Sequence, residues 1–176
     1  MVYATEKTVK GWQELVQYTR HYSQITPMRG DGLKPLLQFR IAVDAAVIAG
    51  MGPRSIQQIL QHDEMQMIST FIVQPMQGLF LLRRFLLQNS WSIMDADLVE
   101  EQGRLYGMWM IRRSPQTGVD PRWLWFPKEF QSSAWFTRLV AERLAYLQRN
   151  LQYWNVNSPE YYNWQREREH LTGVTR

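Results

Sequence analysis

The run Val43–Gly52, VDAAVIAGMG, limits what this chain can fold into more than any other ten residues. Six of its first seven residues are apolar, which is the pattern of a strand buried on both faces of a parallel sheet. It stops at Gly50-Met51-Gly52 and continues as PRSIQQILQH, a predicted helix with Pro53 in its first turn. Strand, tight turn and helix make a βα unit, and open α/β sheets bind ligands at the carboxyl ends of such strands. Gly50 and Gly52 have no Cβ, so the turn is either plainly tight or a place where a ligand approaches the backbone.

The rest of the chain repeats that alternation. Val2–Thr5 is a short strand ending at Glu6, and residues 11–23 form an amphipathic helix. Ile25–Arg29 is a second strand and leads into Gly30-Asp31-Gly32-Leu33. Thr70–Gln74 is a strand stopped by Pro75, and 78–89 a helix. Trp91–Val99 and Leu105–Arg112 then form an antiparallel hairpin around Gln102-Gly103. This order predicts an α/β, Rossmann-like, mostly parallel sheet closed by a hairpin. Ser114–Asp120 is Pro/Gly/Ser-rich and marks a boundary between domains 1–114 and 115–176. Beyond it Val140, Leu144, Leu147, Leu151 and Trp154 make a short coiled-coil-like seam. A second helix over 160–171 predicts a C-terminal α-helical hairpin.

Composition bounds the chemistry. There is no cysteine, and His21, His62 and His170 are too far apart to suggest a metal site. No apolar segment is long enough for a membrane span, and the expectation is a cytoplasmic protein. Arg outnumbers Lys by 16 to 4, a balance that suits RNA phosphates and equally suits a solvated helical surface. Arg138, Arg143 and Arg149 on the long helix are candidate RNA contacts, read as lying off its apolar seam.

Three short pieces stand at successive strand ends. Glu6 is placed to accept hydrogen bonds from ribose hydroxyls, or is an exposed surface carboxylate. Asp31, between Gly30 and Gly32, can reach an adenine amino group or serve an ordinary turn. Gly50-Met51-Gly52 is followed two elements later by Gln74-Pro75.

GDGLKPL at 30–36, VDAAVIAGMGPRSIQQIL at 43–60, FIVQP at 71–75 and EEQGRLY at 100–106 together resemble a known family. It is the bacterial tRNA methyltransferases acting on N1 of adenine 22. The run PRWLWFPKEF before a long helix resembles the family's tail. The resemblance implies a class I methyltransferase sheet, S-adenosylmethionine as cofactor, and tRNA as partner, with no metal and no membrane. It implies that Glu6 meets the cofactor ribose, that Gly30, Asp31 and Gly32 meet its adenine, and that Ala49 and Gly50 adjoin the methyl group. Met51, Gly52, Gln74, Pro75 and Met76 would then border the target base.

The departures are specific. Met76 stands where the family has Asn, Gly107 where it usually has Glu, and Pro53 where it has a further Gly. Glu6 and Gly11 are one residue further apart than in the family. The family's first strand, with its Asp-x-Gly-x-Asp-His loop, would precede Val2, so the sheet is expected to lack that strand. A gap of about 9–10 Å is expected between the strands ending at Glu6 and Gly50. On this reading the 176 residues alone bind cofactor weakly and do not methylate tRNA. The alternative is a non-catalytic relative or fragment that keeps a scaffold and RNA binding.

Overall fold

The computed structural model describes residues 1–61, 68–114, 123 and 126–174. His62, residues 115–120 of the expected joint, and Pro121, Arg122, Leu124 and Trp125 lie outside the described residues.

The chain divides into two compact units. The first comprises Met1–Asp44 and Gln58–Ile68. It contains β1 (Val2–Glu6), α1 (Val9–Thr19), β2 (Ile25–Arg29) and α2 (Lys34–Gln38). β1 and β2 pair in parallel from Val2↔Ile25 to Glu6↔Arg29, so their carboxyl ends lie side by side. α1 starts where Thr8 Oγ1 accepts the Gly11 N–H at 3.0 Å, an N-cap that satisfies one of the helix's orphan donors. The sequence pattern reads Gly30-Asp31-Gly32-Leu33 as a turn and places no element before β3, whereas Lys34–Gln38 forms α2. Pro35 is preset for a helical first turn and is buried there with Leu36.

The second unit comprises Ala45–Gln57 and Ser69–Arg176. β3 (Ala45–Met51) comes first, and α3 (Pro53–Leu60) carries the chain back to the first unit. β4 (Thr70–Pro75), α4 (Leu79–Gln88), β5 (Trp91–Glu101) and β6 (Arg104–Arg113) follow. After a 3-10 turn at Lys128–Phe130 come α5 (Phe136–Leu151) and α6 (Pro159–Val174). The sheet order is β3-β4-β6-β5, with β3 parallel to β4 and β6 antiparallel to both neighbours. Among the described residues no ladder joins this sheet to β1 and β2. The described strands thus form two separate sheets, and a continuous sheet through all six is not present among them.

The core of the second unit is aromatic. Phe71, Trp91, Trp109, Ile111 and Phe130 are buried, with Phe71 edge-on to Trp91 at 5.4 Å and Trp109 stacked on Phe130 at 5.4 Å. One expectation fails here. β3 is buried on one face only: Ala46 and Ile48 point inward, while Val47 between them is 68% exposed. Side chains alternate across a strand, and no described residue covers the second face. Among the described residues no helix is long and apolar enough to cross a membrane, and no group of His, Asp or Glu could hold a metal.

Candidate functional site

In the first unit the two candidate carboxylates share one edge. The Gly30 N–H donates to the Glu6 carbonyl at 2.9 Å, which ties the end of β2 to the end of β1. Glu6 Oε1 accepts from the Thr8 backbone N–H and from its hydroxyl, both at 2.8 Å. The backbone bond above all, then the hydroxyl, holds the Glu6 carboxyl below its ordinary value. Gly11 lies under this side chain: a Cβ there would sit 2.7 Å from Glu6 Cδ. Asp31 Oδ2 is 3.2 Å from Lys7 Nζ and 3.7 Å from Lys34 Nζ. The Lys7 hydrogen bond is the main reason its carboxyl is also lowered. Both groups are therefore ionised acceptors at neutral pH.

In the second unit the residues around Gly50 converge. β3 and β4 run in register from Ala45↔Thr70 to Ala49↔Gln74, then shift so that Met51 faces Pro75. Gly50 is the extra residue at this shift, with φ 72, a left-handed value that costs other residues about 1–2 kcal/mol. Its N–H donates to Gln74 Oε1 at 2.9 Å, and Gln74 Nε2 donates to the Pro75 carbonyl at 2.9 Å. The Met76 N–H donates to the Met51 carbonyl at 3.0 Å. Gln74 thus acts as a latch between the two strand ends. Nothing lies within 4 Å of where a Cβ would stand on Gly50 or Gly52, so the turn opens onto free space. Pro75 is buried, whereas Met76 is 49% exposed. The five residues expected to border a target base are therefore brought together.

The three arginines are not equivalent. Arg149 is exposed. Arg138 is half-buried; it pairs with Glu142 at 2.8 Å, donates to the Gly103 carbonyl at 2.5 Å and lies 5.9 Å from the Trp135 ring. Arg143 corrects the sequence reading, because it sits inside the helical hairpin. It is 8% exposed and donates from Nε and Nη2 to Glu167 at 2.9 and 2.8 Å. The buried stripe of α5 runs through Phe136, Leu139, Val140, Arg143, Leu147 and Leu151. Position 143 is four residues from both Leu139 and Leu147, so helical geometry puts it in the seam.

Gly107 also has a structural cause. It is buried in β6, and a Cβ there would stand 2.7 Å from both Leu79 Cδ1 and Phe130 Cζ. The sequence pattern gives no role to Thr8, whose backbone and hydroxyl hold Glu6. Thr8 was nonetheless legible as the N-cap residue ahead of α1.

A methyltransferase-domain family model matches residues 2–109. A Mycoplasma pneumoniae protein named as a candidate tRNA methyltransferase is 40% identical over 77 residues, 43% of this chain and 35% of that protein. The chain thus spans little more than a third of that relative's length. Among solved structures, a Streptococcus pneumoniae candidate tRNA (m1A22) methyltransferase in complex with S-adenosyl-L-methionine superposes with a TM-score of 0.81. It is 19% identical, over 99% of this chain and 80% of that one. The B. subtilis m1A22 tRNA methyltransferase TrmK gives a TM-score of 0.71 at 20% identity, over 99% and 81% of the two chains. At such identities the structural likeness speaks for the fold, while the family model covers well over half of the sequence. The chain belongs to the methyltransferase-domain family.

Proposed function

We propose that this protein is a tRNA methyltransferase that transfers a methyl group from S-adenosylmethionine to N1 of adenine 22. The observation that carries the reading is the latched turn Ala49–Gly52 against Gln74–Pro75, open to free space at Gly50 and Gly52 at the ends of two parallel strands. The sequence resemblance and the names of the relatives supply the substrate.

The residues present fit that cofactor. Glu6 and Asp31 are ionised acceptors at adjacent strand ends, suited to ribose hydroxyls and to the adenine amino group respectively. When bound, the cofactor supplies an electrophilic methyl group on a sulfonium. The adenine N1 lone pair needs no general base to attack it, so the protein's task is alignment and exclusion of water. Gln74 fixes the turn, the Gly50 conformation leaves room for a reacting group, and exposed Met76 offers an apolar contact to a base. The C-terminal segment from about residue 115 is assigned to holding RNA, with Arg149 and Arg138 as candidate phosphate contacts. Arg143 is left out because it is buried against Glu167 inside the helical hairpin. Localisation in the cytoplasm follows from a tRNA substrate.

The test is genetic, so that it does not depend on chain boundaries. Disrupting the gene in its source cell should abolish N1-methyladenosine at tRNA position 22, read by mass spectrometry of the isolated tRNA. Reintroducing the intact gene should restore the mark, and the same gene carrying Gly50→Val should not. Persistence of the mark after disruption would overturn the reading.

A further inference from the structure

The second unit contains a cavity of about 570 Å³ bounded by α4, α5 and α6, which the proposed methyl transfer does not use. Its size lies in the range of small-ligand sites. Three aromatic rings of the hairpin face it. Trp154 and Trp164 have centroids 4.3 Å apart at 53°, and Tyr146 meets Trp164 at 5.9 Å and 63°. None of these rings is parallel to another, and the Arg143 guanidinium lies over one face of Tyr146 and of Trp164, at 5.1 and 5.9 Å. Tyr146 and Trp154 remain 40% and 38% exposed. The part of this aromatic surface that stays exposed, on Tyr146 and Trp154, is suited to a flat ligand.

The charges narrow the choice. The Arg143 guanidinium lies 4.2 Å from the Phe80 ring centroid and 5.1 Å from that of Tyr146, but Glu167 neutralises it. Glu142, which also lines the cavity, is taken by Arg138. Glu160 lines it as well and forms no ion pair among the described residues. Arg84 lines the cavity too, so the lining carries both signs, and Glu160 is its one carboxylate that no described cation holds. It favours a neutral planar group with N–H donors. Guanine presents two adjacent N–H groups that one carboxylate can accept, whereas uracil flanks its N–H with two carbonyls.

Position completes the argument. Gly78 lines the cavity and lies only two residues beyond Met76, at most about 7.6 Å along the chain. Neighbouring nucleotides of a splayed strand span such a distance, and sequence-specific RNA recognition uses unstacked bases held on aromatic rings. We propose that this cavity captures one unpaired base of the RNA substrate, guanine in preference to uracil, by stacking on the Tyr146–Trp154–Trp164 cluster with Glu160 accepting from the base edge. The proposal rests on the reading of the protein as an RNA methyltransferase and adds a second base site to it.

The test titrates the 176-residue protein with fluorescein-labelled hexanucleotides UUGGUU and UUUUUU, read by anisotropy. UUGGUU should bind more tightly. Trp164→Ala should weaken it about 5- to 150-fold, the range for loss of one base–aromatic stack. Trp164 also packs the hairpin, so Tyr146→Leu and the surface change Glu160→Gln carry the test if Trp164→Ala unfolds. Tyr146→Leu should weaken both oligonucleotides, and Glu160→Gln should erase the preference for UUGGUU while leaving UUUUUU unchanged. Equal binding of the two oligonucleotides, no binding of either, or wild-type behaviour in both variants would overturn the site. The outcomes separate from those of the methylation reading. Guanine preference without any effect of gene disruption on position 22 sinks that reading and keeps the site. An intact dependence of the mark on the gene, without guanine preference, sinks the site alone.

Discussion

Arg143 and Glu167 show what a single residue contributes here. Both are nearly inaccessible, and two hydrogen bonds join them across 24 residues of sequence. Removing one partner strands a buried charge, which typically costs about 3–5 kcal/mol, whereas replacing both by apolar side chains of similar volume is often neutral or better. Glu167→Ala should therefore lower the urea midpoint by the equivalent of about 3–5 kcal/mol. Arg143→Met with Glu167→Leu should recover most of it, with the unfolding slope unchanged. A double variant no more stable than Glu167→Ala would sink this account. An arginine in a sequence carries its charge but not its partner, so 143 reads as a solvent-facing cation until α6 is seen beside it. Glu6 was more legible, because the strand-end position and the Thr8 cap are both local signals. What was not legible is that Thr8 already occupies Oε1.

At the scale of elements, periodicity located β3, β4, the β5–β6 hairpin and the paired C-terminal helices, each to within a few residues. α2 escaped it because five residues give too little period to read. The two-face burial expected for β3 failed for a different reason: apolar composition says a strand can be covered, not that a neighbour covers it. β6 carries the sharpest constraint on a neighbouring element. Gly107 lets α4 and the Lys128–Phe130 turn approach the strand to a distance that no Cβ tolerates. Overpacking of this kind costs about 1–3 kcal/mol before any burial of charge is counted. Gly107→Glu, which would install the residue usual in the resembled family, should thus lower the thermal midpoint more than Gly107→Ala does. Equal melting of Gly107→Glu and wild type would show that Leu79 and Phe130 move aside without penalty.

For the whole molecule, the two units have unequal means of holding themselves together. The first has a two-stranded sheet, an α1 without buried residues and a few buried side chains such as Leu36, Leu60 and Ile68, whereas the second has a four-stranded sheet and an aromatic core. Isolated two-stranded sheets are marginal in water. Amide hydrogen exchange should accordingly be fast throughout β1, β2 and α1, and slowest at Phe71, Val73, Trp109 and Ile111. Comparable protection in β1 and β4 would contradict this. Unfolding should also depart from a single two-state transition. The strand that ends the larger sheet has a further effect. β3 reads AAVIAGM, without charge or proline, and leaves Val47 in solvent. Short apolar, uncharged strands at a sheet margin are templates for cross-β association between molecules. Association at high concentration should therefore run through these seven residues. Val47→Lys should reduce the scattered light of a concentrated solution, while an unchanged signal would place the contact elsewhere.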